Sequence, residues 1–122
     1  MGTAFALTRE SSAHLNFKQA CFRAQTNATF LRMKKTVPVR LLDNEFARQV
    51  ARLEEEGATP EQLTQLLGQG RAKKGMLDGD IEQGELEIGQ VVSEFNEALT
   101  CEELMGKLIL EYRRAVGRLC GK

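Results

Sequence analysis

The sequence predicts a mostly α-helical chain carrying one to three short strands, and two features of its pattern predict this. Apolar residues recur at three- and four-residue spacing through most of the chain, the period of helices with one buried face. Extended character is confined to short runs in the first third, where a proline and β-branched residues interrupt that period. The 42% hydrophobic fraction over 122 residues suffices for one modest core and excludes two independent ones.

Met1 to Leu7 is a short apolar run without a polar lead-in, read as a strand or strand end. A polar break, Thr8 to Ser12, offers caps for a helix with Ala13, Phe17, Ala20, Cys21 and Ala24 at helical spacing. Phe30–Met33 and Val37–Leu42 read as extended, with Pro38 excluded from a central ladder position. From Asp43 the helical period returns through Phe46, Val50 and Leu53, and Gly57 suits the position after its end. Thr59-Pro60-Glu61-Gln62 combines a cap, a first-turn proline and the third-position amide of a capping box, with Leu63, Leu66 and Leu67 turned inward. A glycine-spaced connector, Gly68 to Gly84, precedes two closing helices, Glu85–Leu99 and Thr100–Leu119. The second opens on a capping box and carries Leu104, Leu108, Tyr112, Val116 and Leu119 as an apolar stripe.

Charge and cysteine content exclude several function classes. Seventeen basic residues balance seventeen acidic ones, so no chain-wide attraction to nucleic acid or an anionic membrane is expected. Apolar runs fall far short of the ~20 residues a membrane span requires, and the start lacks the pattern of a secretory signal. Cys21, Cys101 and Cys120 are odd in number and irregular in spacing, which suits free thiols and a cytoplasmic protein.

Motifs with known chemistry fail in detail. Asp78, Asp80 and Glu82 alternate like a calcium loop, but Gln83 and Gly89 stand where its glycine and final glutamate belong. Gly70 to Gly75 has the gap of a phosphate loop, but Met76 and Leu77 replace its lysine and hydroxyl. With one histidine and no Cys-x-x-Cys pair, no metal site is expected. Arg71, Lys73 and Lys74 read as a solvated helix end. His14 reads as a structural or surface residue rather than a general base.

The segment from Gly70 through Lys73, Gly75, Asp78 and Gly84 to Gly89-Gln90 resembles the nitronate monooxygenase family, formerly 2-nitropropane dioxygenase, which includes FMN-dependent enoyl-acyl carrier protein reductases. Other motifs are similar in the same order: Met1–Phe5, Glu10–His14 with Phe17-Lys18, Thr36–Arg40, and Gly57–Glu61. The resemblance covers nearly the whole chain. It implies an α/β parent fold, a TIM (β/α)8 barrel, of which this chain is the C-terminal part. Residues 1–42 are then similar to the last barrel strand with its phosphate turn, the following helix and an extended segment, and 43–122 to the C-terminal helical region.

The resemblance further implies FMN as cofactor, with Gly2 and Thr3 at its phosphate and Gly89 and Gln90 on the substrate side. Its small-molecule substrates are alkyl nitronates or enoyl thioesters. The family's histidine base lies upstream of the matching region, so no catalytic residue is assigned to this chain. A barrel of this kind needs ~250 residues, so the expected role is a C-terminal fragment of a flavin-dependent oxidoreductase, partnered by an upstream polypeptide. The alternative is a small helical interaction module that associates with itself or with another chain.

Overall fold

The computed structural model describes residues 1–121; Lys122, the last residue of the expected helical region, lies outside the described residues. Six helices and one hairpin are arranged around two apolar clusters. The helices are α1 (Gly2–Ala6), α2 (Leu15–Phe22), α3 (Glu45–Glu55), α4 (Pro60–Leu67), α5 (Arg71–Met76) and α6 (Cys101–Leu119). The strands are β1 (Thr29–Arg32) and β2 (Val39–Leu42), paired antiparallel with Thr29 opposite Leu42 and Arg32 opposite Val39. The mostly helical expectation with short strands therefore holds, and Pro38 sits just before β2 rather than in its ladder.

Strand alternation makes the hairpin the wall between the two clusters, because successive side chains leave a strand on opposite faces. Leu41 enters the cluster built from Phe46, Val50, Ala58 and Leu63 of the α3–α4 side. Leu42, its neighbour, enters the cluster of Leu7, Phe17, Cys21, Leu86, Ile88 and Val92. Local signals read from sequence set the α3–α4 side. Asn44 caps α3 by accepting from the Ala47 N–H, and Gly57 follows its last residues with φ +82°. Thr59 and Gln62 form the reciprocal capping box of α4, Leu63 is fully buried, and Leu66 and Leu67 are half-buried against the same cluster.

Two expectations are corrected. The opening run is a helix, α1, not a strand, and its backbone bonds are local, with the Leu7 N–H donating to the Thr3 carbonyl at 3.2 Å. A short apolar run carries no period that separates a buried strand from a buried helical turn. The expected helix over 85–99 is also absent. Residues 85–88 run extended along the free edge of β2, with the Leu42 N–H donating to Leu86 and the Ile88 N–H to Arg40. A short 3-10 helix, Gln90–Glu94, follows. The connector before it is not irregular throughout, since α5 lies within it.

The α6 start is docked on the loop after α1. The Arg9 N–H and Nε donate to the Leu99 and Ala98 carbonyls, each at 2.9 Å. The Glu10 carboxylate accepts from the Cys101 N–H, a bond that holds its pKa below the ordinary value. Thr100 and Glu103 form the expected capping box. Beyond Leu104, which is buried, and Leu108, which is half-buried, the apolar stripe opens outward: Tyr112 is 70% exposed and Leu119 87%.

Candidate functional site

The first turn of a helix leaves backbone N–H groups without intrahelical partners, and α1 has no side chain capping them. Its second turn is tied down by side chains of the following loop. The Thr8 hydroxyl donates to the Phe5 carbonyl at 2.8 Å and the Ser11 hydroxyl to Ala6 at 2.6 Å. The buried Lys18 ammonium, on α2, then donates to the Thr8, Ser11 and Arg9 carbonyls at 2.7, 3.1 and 3.3 Å. A charged donor shared among three acceptors is a strong fixture. It holds the end of α1 so that the uncapped start keeps one direction.

That start faces an open hollow lined by Gly2, Thr3, Ala6, Arg40, Glu87 and Gly89, among others. Thr3 closes it from beneath: its Oγ1 accepts from the Gly89 N–H at 3.1 Å across 86 positions of sequence. A hydroxyl carries one donor and two acceptor sites, so this bond leaves the Thr3 proton free to donate. A Cβ at Gly89 would meet Thr3 Oγ1, so a larger residue there would displace this hydroxyl. Gly2 is open instead, since a Cβ added there would meet no other atom within 4 Å.

Of the residues singled out from sequence, Gly2, Thr3 and Gly89 therefore come together at one hollow. Gln90 stands next along the chain, exposed at the first position of the 3-10 helix and outside the hollow's lining. Sequence reasoning does not find Arg40 and Glu87. Arg40 reaches the hollow from β2 while its Nη1 donates to the Thr29 carbonyl at 3.3 Å, and Glu87 comes from the strand-like segment paired to β2. Only the pairing of 85–88 with β2 brings them side by side, and that pairing leaves no local motif.

Other candidates are structural. His14 caps α2, its Nδ1 accepting from the Asn16 N–H at 3.1 Å, and it does not line the hollow. Asp80 closes a turn by accepting from the Gln83 and Glu82 N–H groups and pairs with Lys74 at 3.0 Å, contacts that lower its pKa. Arg71 is not a solvated helix end, which corrects the sequence reading. Its guanidinium donates to the Leu66, Leu67 and Gln83 carbonyls and lies 4.6 Å from the centre of the Phe46 ring. Glu85 is buried beside it, and burial, reinforced by the charge of Glu87, raises its pKa. Among the described residues no group of three or more His, Cys, Asp or Glu side chains could hold a metal ion.

The three thiols differ in environment. Cys21 is buried in the α2 cluster, and desolvation pushes it up to about 12, while Cys101 is half-buried and Cys120 exposed. Because the thiolate is the reactive form, a maleimide reagent should label Cys120 at once and Cys21 only in denaturant. Mass mapping of the labelled peptides checks this order, and fast labelling of Cys21 in the native chain would contradict the packing described.

Known proteins resemble this chain over most of its length. The family model described as nitronate monooxygenase matches residues 1–111. Among solved structures, FabK from Thermotoga maritima is 28% identical, with a TM-score of 0.86 over 99% of this chain and 38% of that one. A point mutant of the same protein matches at 24% identity, with a TM-score of 0.80 over 99% of this chain and 36% of that one. The chain thus spans well under half the length of these structures. No curated protein matches it. The FabK likeness places the described residues within a TIM-barrel fold family, although they themselves contribute helices and only two short strands. With its ordered motifs and its matched length, the chain belongs to the nitronate monooxygenase family.

Proposed function

We propose that these residues form the phosphate-binding end of a flavin-dependent oxidoreductase barrel, whose strands lie outside them. The observation that carries the reading is the Thr3–Gly89 contact, which joins the uncapped start of α1 to the glycine preceding Gln90. The residues fit the phosphate group of FMN. Backbone N–H groups at a helix start favour an anion, Gly2 admits close approach, and the Thr3 hydroxyl and Arg40 add donors. Glu87, on the same rim, opposes an anion and limits where it can sit.

When bound, FMN would supply a ring that takes electrons from an alkyl nitronate or, once reduced by a nicotinamide, gives a hydride to an enoyl thioester. This chain's part is to hold the phosphate and to present the Gln90 amide on the substrate side. The base that moves the substrate proton would lie outside the described residues. No side chain lining the hollow is an uncommitted histidine or cysteine.

The expected affinities are graded. With the upstream barrel strands supplied as a second polypeptide, FMN should bind at least ~10-fold more tightly than riboflavin, since about 1.4 kcal/mol separates each tenfold step. Gly2→Glu, which puts a carboxylate at the helix start, should remove that preference while leaving the fold intact. Flavin fluorescence titration checks both. Equal affinity for FMN and riboflavin in the parent chain would overturn the assignment.

A further inference from the structure

The hollow at the start of α1 encloses about 570 Å³ and is open to solvent, far more room than one phosphate group fills. Size alone therefore does not decide which flavin it admits. FMN and the larger dinucleotide FAD carry a phosphate at the same end of the ribityl chain and bring similar total charge. They differ in where that charge lies. FMN holds it on the oxygens of one phosphorus, whereas FAD shares it with a second phosphate further out, which also carries the adenosine.

The charged side chains of the lining are one cation and one anion, Arg40 and Glu87. Backbone pairing fixes both positions: the Ile88 N–H donates to the Arg40 carbonyl at 3.3 Å, and Glu87 bridges to Leu41. Arg40 is half-buried, and its Nη1 donates to the Thr29 carbonyl and hydroxyl at 3.3 and 3.4 Å. Those bonds hold the guanidinium and, among the described residues, leave Nε and Nη2 for a ligand. Glu87 is exposed, and none of the ion pairs among the described residues includes it. An anion in the hollow thus meets donors from α1, Thr3 and Arg40, and on the same rim a carboxylate with no cation paired to it.

Taking the hollow as the phosphate end proposed for it, we infer that Glu87 is a specificity-determining residue, which admits the single phosphate of FMN and disfavours the diphosphate of FAD. One phosphate occupies the donors at the helix start, the Thr3 hydroxyl and the free nitrogens of Arg40. A second phosphate finds no second cationic side chain in the lining and comes to lie against Glu87. The choice between the two flavins then comes from a repulsive element rather than from a tighter fit.

Calorimetric titration of the partnered chain with FMN, FAD and riboflavin reads the preference. The parent should bind FMN at least ~10-fold more tightly than FAD. Glu87→Gln should tighten FAD by ~5-fold or more and FMN by less than ~2-fold, the scale of one like charge several ångströms away near a surface. Glu87→Asp keeps the charge and should keep most of the preference. Glu87 is exposed and pairs with β2 through its backbone, so neither variant threatens the fold. Added salt should narrow the parent's gap as Glu87→Gln does, whereas a gap set by the bulk of the adenosine would ignore both. Equal affinity of the parent for FMN and FAD, or a gap that survives Glu87→Gln, would overturn the role of Glu87 and leave the phosphate site standing. FMN bound no more tightly than riboflavin would overturn both.

Discussion

A Gly84→Ala variant should lose about 3 kcal/mol of unfolding free energy, at the upper end of what a single added methyl group causes. The new Cβ would collide with the Gly75 Cα and the Asp80 carbonyl oxygen and stand 2.5 Å from the Gly75 nitrogen. All three are backbone atoms, so no side chain can rotate aside. The crossing of these two segments is also a junction of hydrogen bonds. The Asn44 amide donates to the Gly84 and Ile81 carbonyls at 2.8 and 3.0 Å, and the Glu85 N–H donates to Arg71. Displacing Gly84 would pull residues 85–88 from the edge of β2 and, with them, Gly89 from Thr3. Urea unfolding should show a lower midpoint at an unchanged slope. A shift worth less than about 1 kcal/mol would contradict the close crossing.

Replacing Arg71 by leucine should cost about 2–3 kcal/mol, because three carbonyl acceptors lose a charged donor and the Phe46 ring loses its stacked cation. Leucine keeps much of the aliphatic volume, so the loss reports the guanidinium rather than a cavity. Arg71→Lys should recover less than half. One ammonium cannot reach carbonyls on both the end of α4 and the residue before Gly84 while also lying over the ring. The same urea series measures both variants. Full rescue by lysine would mean that charge alone matters, and the forked geometry would then be irrelevant.

These two residues mark where the sequence stops being readable. Helix starts are legible because capping is local: Thr59 with Gln62 and Thr100 with Glu103 each lie within one turn, and both boxes form. The extended pieces are legible from Pro38 and the β-branched run around it, although their pairing is not. The opening run misleads because seven residues carry too little period to tell a helix from a strand. Residues 85–99 mislead for a different reason. Their apolar spacing suits a helix, but the edge of β2 takes their backbone hydrogen bonds first. Arg71 looks like surface charge in the sequence because its three acceptors are brought to it by the chain on both sides of α5. The family is legible from ordered motifs, and the 1–111 match bears this out. What joins Gly2 and Thr3 to Gly89 is legible only as resemblance, since a contact across 86 positions leaves no spacing to read.

The measurement that tests the flavin reading most directly follows backbone amides by NMR while FMN, and separately riboflavin, is titrated into the partnered chain. The Gly2, Thr3 and Ala4 amides should shift and saturate with FMN, Gly89 should move with them through its bond to Thr3, and riboflavin should leave all four in place. Saturating shifts centred on Arg71 to Gly75 instead, or the same response to both flavins, would contradict it.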